Sequence, residues 1–266
     1  MARIWAPERG FCPIGKQGNH GYPPPFATRV EQLFHDEGDE MNIEDAASSR
    51  MRLLRAAMDL VSIEGPHRAT IRDIARRSET NTAAVNYHFG SKSALMRKAL
   101  HAIFAPINSR RETLLDAAVA EAGEDPVPVE RILDALNRPV VESLKSEEGI
   151  RYVRTLQHIR AFPNDPHSVY VMETFDPVAQ RFIDEMCRSL PHLGRDEMIW
   201  RYEMARGAMV HIVGNCDPLS GKLRQLYGQK ASAIDLMNTE AVLAELRDFV
   251  VAGLSSSSSW AMSDES

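Results

Sequence analysis

The sequence predicts an all-α protein in two helical parts, and three observations carry that expectation. Apolar residues recur at three- and four-residue spacing through most of the chain. No alternating run is long enough for a strand. Glycines and small polar capping residues fall where the periodic segments should end and begin. A chain of 266 residues with 44% hydrophobic and 26% charged residues has the balance of an ordinary globular protein, with room for one large domain or two smaller ones.

Residues 1–45 read as a disordered arm. Gly10, Gly15, Gly18 and Gly21 lead into Pro23-Pro24-Pro25 and then an acidic run at 36–40, and no apolar period survives that composition. Residues 46–105 form a first helical domain. In its opening helix, within 50–65, Leu53, Ala57 and Leu60 share one face with Leu54 and Val61 beside them, and Gly65-Pro66 ends it. Thr70 caps a short second helix, with Asp73 three residues on and Ile71, Ile74 and Ala75 on its apolar side. Asn81 caps a third, Gly90 closes it, and Ser91 caps a fourth carrying Leu95, Leu100, Ile103 and Phe104. Residues 106–254 form a second domain, with helices expected at 129–145, 147–162, 168–190, 196–215 and 239–254. Pro106, Pro139 and Pro177 fall inside helical stretches and should kink or break them. Residues 255–266, beginning with five serines, read as a flexible tail.

Charge is distributed unevenly among these parts. The net charge is −6, yet residues 46–105 carry ten Lys/Arg against four Asp/Glu, whereas 1–45 carry four against eight and 106–266 seventeen against twenty-five. A basic module on an acidic body is the electrostatic footprint of a protein that meets a polyanion through one domain only. Three distant cysteines, Cys12, Cys187 and Cys216, suit free thiols in a reducing cytoplasm rather than a disulfide framework or a metal site. No signal peptide or membrane-spanning run is evident, and His158, His192 and His211 lack metal-ligand spacing. Without a nucleophile elbow, a Gly-rich phosphate cradle or any neighbouring Cys/His pair, an enzyme is the disfavoured class, and no cofactor is expected.

The third helix carries the functional signal. A helix that enters the major groove needs small or polar residues toward the bases and apolar residues toward its own domain. Val85 and Phe89, four apart, can lock it onto Ile71, Ile74 and Leu54. Thr82, Ala83, Asn86 and Tyr87 then face outward. Asn86 can pair with adenine, an alanine methyl can touch a thymine methyl, and Tyr87 and His88 suit phosphate oxygens. Thr70 and Arg72 at the start of the second helix, and Lys92 in the first turn of the fourth, are positioned for the flanking backbone.

These residues resemble the DNA-binding domain of the TetR family of bacterial transcriptional regulators. The resemblance covers about residues 50–100: an apolar helix ending at Gly65, Thr70–Ala75 (TIRDIA), a turn, and Tyr87–Leu95 (YHFGSKSAL). It implies DNA contacts by Thr82, Ala83, Asn86, Tyr87, His88 and Lys92. The stretch AAVNYHFGSK, and the pairing of Pro191 with the helix around Trp200, resemble the branch that includes fatty-acid-responsive regulators. One position departs from the family pattern. The turn before the third helix usually holds Gly and an apolar residue, and here it reads Glu79-Thr80, which puts a side chain where positive φ is favoured and a negative charge near phosphate.

The resemblance implies an N-terminal three-helix helix-turn-helix DNA-binding domain and a C-terminal helical ligand-binding and dimerisation domain. Phe104, Leu156, Met172, Phe175 and Met186 form a Met- and Phe-rich set suited to an adaptable apolar pocket. The family pairs its last two long helices with those of a second copy. Here they carry Met198, Tyr202, Ala205, Met209 and Ile212, then Val242, Leu246 and Val250, with Ala205, Gly207 and Ala208 small enough for close approach. The expected partners are therefore a double-stranded DNA operator, a second copy of the chain, and an apolar or amphipathic small molecule, with no membrane. The expected role is a repressor on a palindromic operator. The alternative is a helical small-molecule-binding protein with weakened DNA affinity.

Overall fold

In the computed structural model, which describes residues 40–217, 222–228, 238–254 and 256, every regular element is helical. The order is α1 (Glu40–Glu64), α2 (Ile71–Arg77), α3 (Thr82–Phe89), α4 (Lys92–Ala122), α5 (Val129–Ser143), α6 (Glu147–Ala161), α7 (Pro166–Ser189), α8 (Arg195–Cys216), α9 (Lys222–Tyr227) and α10 (Thr239–Leu254). The expected arm falls mostly on residues 1–39, outside the described residues, and α1 already begins at Glu40. Of the expected tail only Ser256 is described.

Local chemistry sets most of the helix starts. Thr70 Oγ1 accepts from Asp73 N (3.2 Å), Asn81 Oδ1 from Ala84 N (2.8 Å), Ser91 Oγ from Ala94 N (3.1 Å) and Ser146 Oγ from Gly149 N (3.1 Å). Each satisfies a backbone donor that the helix itself cannot, which stabilises a helix by about 1 kcal/mol. The α2–α3 turn is a Schellman motif. Thr80 N bonds Ala75 O at 3.0 Å and Glu79 N bonds Arg76 O at 3.3 Å, and this geometry puts Glu79 at φ 54°. Among the described residues no other non-glycine has positive φ.

Two features of the helices depend on more than local sequence. Pro106, Pro139 and Pro177 lie within α4, α5 and α7, and none of these helices is broken. A mid-helix proline costs about 3 kcal/mol, and at Pro106 and Pro139 apolar burial offsets that cost. Ile103, Phe104 and Ile107 flank Pro106 in the core, and Pro139 is itself buried beside Val140 and Val141. In addition, α4 runs unbroken for 31 residues, through the division expected at residue 105, so both halves share one long helix. The short α9 had no counterpart in the expected elements.

The core has two regions. The first joins α1–α4 to α6 and to the inner faces of α8 and α10, around Leu53, Ile74, Val85, Leu95 and Val213. The second packs the distal half of α4 with α5, α7, α8 and α10, around Leu115, Ile132, Leu133, Phe182 and Met198. Gly149 allows the tight α5–α6 corner, because a Cβ there would lie 1.9 Å from Ser143 O.

Candidate functional site

Helix α3 sits on the first core by Val85 and Phe89, both buried, and turns Thr82, Ala83, Asn86 and Tyr87 to solvent. Tyr87 is 81% exposed, unusual for a ring of that size. His88 is half-buried, and its pKa is lowered by burial and by the charge of Arg50. Arg50, unassigned in the sequence reading, lies over the Phe89 ring with its guanidinium carbon 5.6 Å from the centroid. The excess of arginines in residues 46–105 was its only trace in the sequence.

Thr70 and Arg72 are exposed at the start of α2. The Thr70 hydroxyl donates to the Asp73 carboxylate at 2.5 Å, and Asp73 also accepts from Arg76 at 2.7 Å. Thr70 thus spends its hydroxyl proton on the cap, whereas Arg72 makes no ion pair among the described residues. Lys92 opens α4 half-buried, near enough to the start of α7 to help lower the pKa of His167. That shift comes first from burial, with Lys92 and Arg97 reinforcing it and Asp165 opposing. Of the eight residues picked from the sequence, Thr70, Arg72, Thr82, Ala83, Asn86 and Tyr87 are exposed on α2 and α3, and His88 and Lys92 are half-buried beside them.

The second half holds a cavity of about 390 Å³ between α4, α5, α6, α7 and α8. Phe104, Leu156, Met172 and Phe175 line it, with the Phe104 ring 6.0 Å from Phe175 and 5.1 Å from Tyr152. Met186 does not join them. It is fully buried in the second core, with Phe182. One wall is polar and was missed in the sequence: Asn108, Arg111, Tyr152 and Tyr202. Asn108 and Arg111 follow Phe104 at four and seven residues, the apolar stripe of α4, and polar residues on that stripe were the available signal.

One carboxylate bridges α1, α2 and α6. Asp59 of α1 accepts from Arg151 of α6 at 2.7 Å and from Arg77 of α2 at 3.3 Å. Helix α6 also lines the cavity through Tyr152, Leu156 and Ile159. On the far side, α8 and α10 present Ile199, Trp200, Met204 and Phe249 to solvent, Phe249 at 72% exposure. The residues noted there from sequence divide. Met198, Tyr202, Ala205, Met209, Leu246 and Val250 point into the protomer, and Ile212 and Val242 are half-buried.

Among the described residues, no helix is long and apolar enough to cross a membrane, and no three His, Cys, Asp or Glu gather in a way that could hold a metal ion.

A family model described as bacterial regulatory proteins, tetR family, matches residues 53–99, and one described as Tetracyclin repressor-like, C-terminal domain, matches residues 134–253. These two matches span both halves of the fold and together cover more than half of the chain. The chain belongs to the TetR family. An HTH-type transcriptional repressor of Mycobacterium tuberculosis and an HTH-type transcriptional regulator of Mycobacterium bovis are each 31% identical over 134 residues, 50% of this chain. The match spans 61% of the length of these relatives. They are regulators of transcription, not enzymes. The TetR fold is also that of the fatty acid degradation regulator FadR from Bacillus halodurans, with a TM-score of 0.50 at 14% identity, covering 84% of this chain and 100% of that one. A ketosteroid transcriptional regulator of Mycobacterium tuberculosis aligns with a TM-score of 0.51 at 16% identity, covering 75% of this chain and 93% of that one.

Proposed function

We propose that this protein represses transcription by binding a palindromic DNA operator as a homodimer, and that an apolar or amphipathic small molecule filling the cavity releases it. One observation carries the reading: α3 offers Thr82, Ala83, Asn86 and Tyr87 outward from a fully packed inner face. Among the described residues, nothing in the protomer covers that outer face. Its side chains match a groove edge, with an amide for adenine, methyls for thymine and a phenol for phosphate. Arg50, Arg72 and Lys92 supply positive charge around it. Acting on DNA, the protein works in the cytoplasm.

One recognition helix reads only a few base pairs, so specificity calls for two. The exposed Ile199, Trp200, Met204 and Phe249 suit a helical interface between copies. Release needs only that the effector favour one of two conformations, with a coupling of about 1–3 kcal/mol. The Arg151–Asp59–Arg77 chain is the candidate route, since α6 borders the cavity at one point and holds the base of the DNA-reading unit at another.

Electrophoretic mobility shift with palindromes from the protein's own upstream region tests the reading. Binding should weaken steeply with salt. Asn86→Ala should cost about 1–3 kcal/mol at its base, and Lys92→Ala should lower the salt slope by about one. If nothing shifts at low salt and neither substitution matters, DNA recognition is refuted. The second reading, a small-molecule-binding protein of weak DNA affinity, is favoured by Glu79 beside the recognition helix. It would prevail if the purified protein bound apolar ligands tightly but no DNA.

A further inference from the structure

The cavity wall carries a charge that the protein does not neutralise. Arg111 is only 6% exposed, yet it makes no ion pair among the described residues. Its Nε donates to Leu136 O at 2.8 Å and its Nη1 to Asn108 Oδ1 at 3.3 Å, both neutral acceptors. A guanidinium has five N–H donors, and the rest, including both on Nη2, have no protein acceptor among the described residues. Two carboxylates line the cavity with it: Glu203 holds Arg206 at 3.1 Å, and Asp176 makes no hydrogen bond or ion pair to Arg111 among the described residues. Tyr152 and Tyr202, each 3% exposed, stand in the same wall, and neither hydroxyl bonds to the protein among the described residues.

A buried cation without a counter-ion is expensive, and a protein keeps one where something else completes it. We propose that the cavity binds a small monocarboxylate with an apolar body. Its carboxylate meets Arg111 and the hydroxyls of Tyr152 and Tyr202, and its body lies against Phe104, Leu156 and Phe175. A planar guanidinium facing a carboxylate gives paired charge-assisted hydrogen bonds, which a hydroxyl or amide head group cannot match. The cavity of about 390 Å³ falls within the roughly 300–1,000 Å³ of small-molecule sites, which suits an acid on the order of ten non-hydrogen atoms. This identity rests on the effector-binding reading of the cavity, but the binding it predicts can be measured without DNA.

The test is calorimetric titration of the full chain with octanoate and with 1-octanol, which share an apolar body and differ in the head group. Octanoate should bind the unmodified protein on the order of tenfold to a hundredfold more tightly. Arg111→Met should abolish that preference while leaving octanol binding near its starting value. Because Arg111 also supports Leu136 O, Tyr202→Phe serves as a second variant. It should weaken octanoate several-fold and octanol little. Equal binding of the two probes, no octanoate binding at millimolar concentration, or full retention of the preference in either variant would overturn the proposal. Octanoate binding that leaves the operator complex intact in a mobility shift would refute the effector role alone, leaving the carboxylate site standing.

Discussion

Replacing Glu79 with glycine should make this protein more stable and tighten its hold on DNA, and the two effects can be separated. Glu79 is held at φ 54° by the Schellman hydrogen bonds of the α2–α3 turn. A left-handed conformation costs an L-residue about 1–2 kcal/mol. Glycine escapes that cost but gives up about 0.5–1 kcal/mol of chain entropy, so the net gain is about 0.5–1 kcal/mol. The Glu79 side chain is exposed and makes no hydrogen bond or ion pair among the described residues, so its removal loses no contact. Glu79→Gln is the control, since it keeps the strain and removes the charge. Urea unfolding at fixed protein concentration should show a higher midpoint for Glu79→Gly than for Glu79→Gln, with unchanged slope. A unit charge about 10 Å from a phosphate in water is worth about 0.4 kcal/mol, so both variants should bind operator about twofold more tightly. If Glu79→Gly were no more stable than Glu79→Gln, the strain assigned to this turn would be wrong.

Four other outcomes follow from the same geometry. Gly149→Ala should destabilise by more than about 2 kcal/mol, because its Cβ would meet Ser143 O at 1.9 Å; a urea midpoint equal to wild type would exclude this close approach. Trp200→Glu combined with Met204→Glu should give a folded monomer in sedimentation, since both side chains are exposed at more than half of their area; a persisting dimer would move the interface elsewhere. Asp59→Asn, which loosens the links to Arg77 and Arg151, should lower stability by about 1–3 kcal/mol and blunt ligand-driven release of DNA; unaltered release would remove α6 from the coupling route. His101 and His167 both have lowered pKa values, first from burial and then from nearby Lys and Arg charges, so the folded protein holds them neutral while the unfolded chain protonates them near 6.5. Their stabilisation is therefore intact above 6.5 and is lost as pH falls toward their folded values. Urea midpoints should drop between about pH 7.5 and pH 5.5, and the double replacement by Gln should flatten that drop.

The reach of the sequence followed the range of the forces involved. The caps at Thr70, Asn81 and Ser91, the glycine stops and the inward pair Val85 and Phe89 all act over four residues or fewer. Helix period and capping preference are enough to read them. The same is true of Glu79, whose misfit with a positive-φ turn was visible from residue type alone and reappears as φ 54°. Whether a proline interrupts its helix is decided at longer range. A local rule kinks or breaks the helix at each of them, but the packing around Ile103, Phe104, Val140 and Val141 carries α4 and α5 past Pro106 and Pro139.

Tertiary structure alone decided how distant residues share space. Spacing could not tell which face of α8 turns inward, because that helix is apolar on both sides: Met198 and Tyr202 enter the core while Trp200 and Met204 stay outside. Nor could it bring Asp59 to Arg151, 92 residues away. Arg111 falls on the apolar stripe of α4, but its spacing does not say what surrounds it. Only the closing of α5, α7 and α8 over α4 buries it, with no counter-ion among the described residues, and burial of that kind is a property of the assembled fold rather than of any segment.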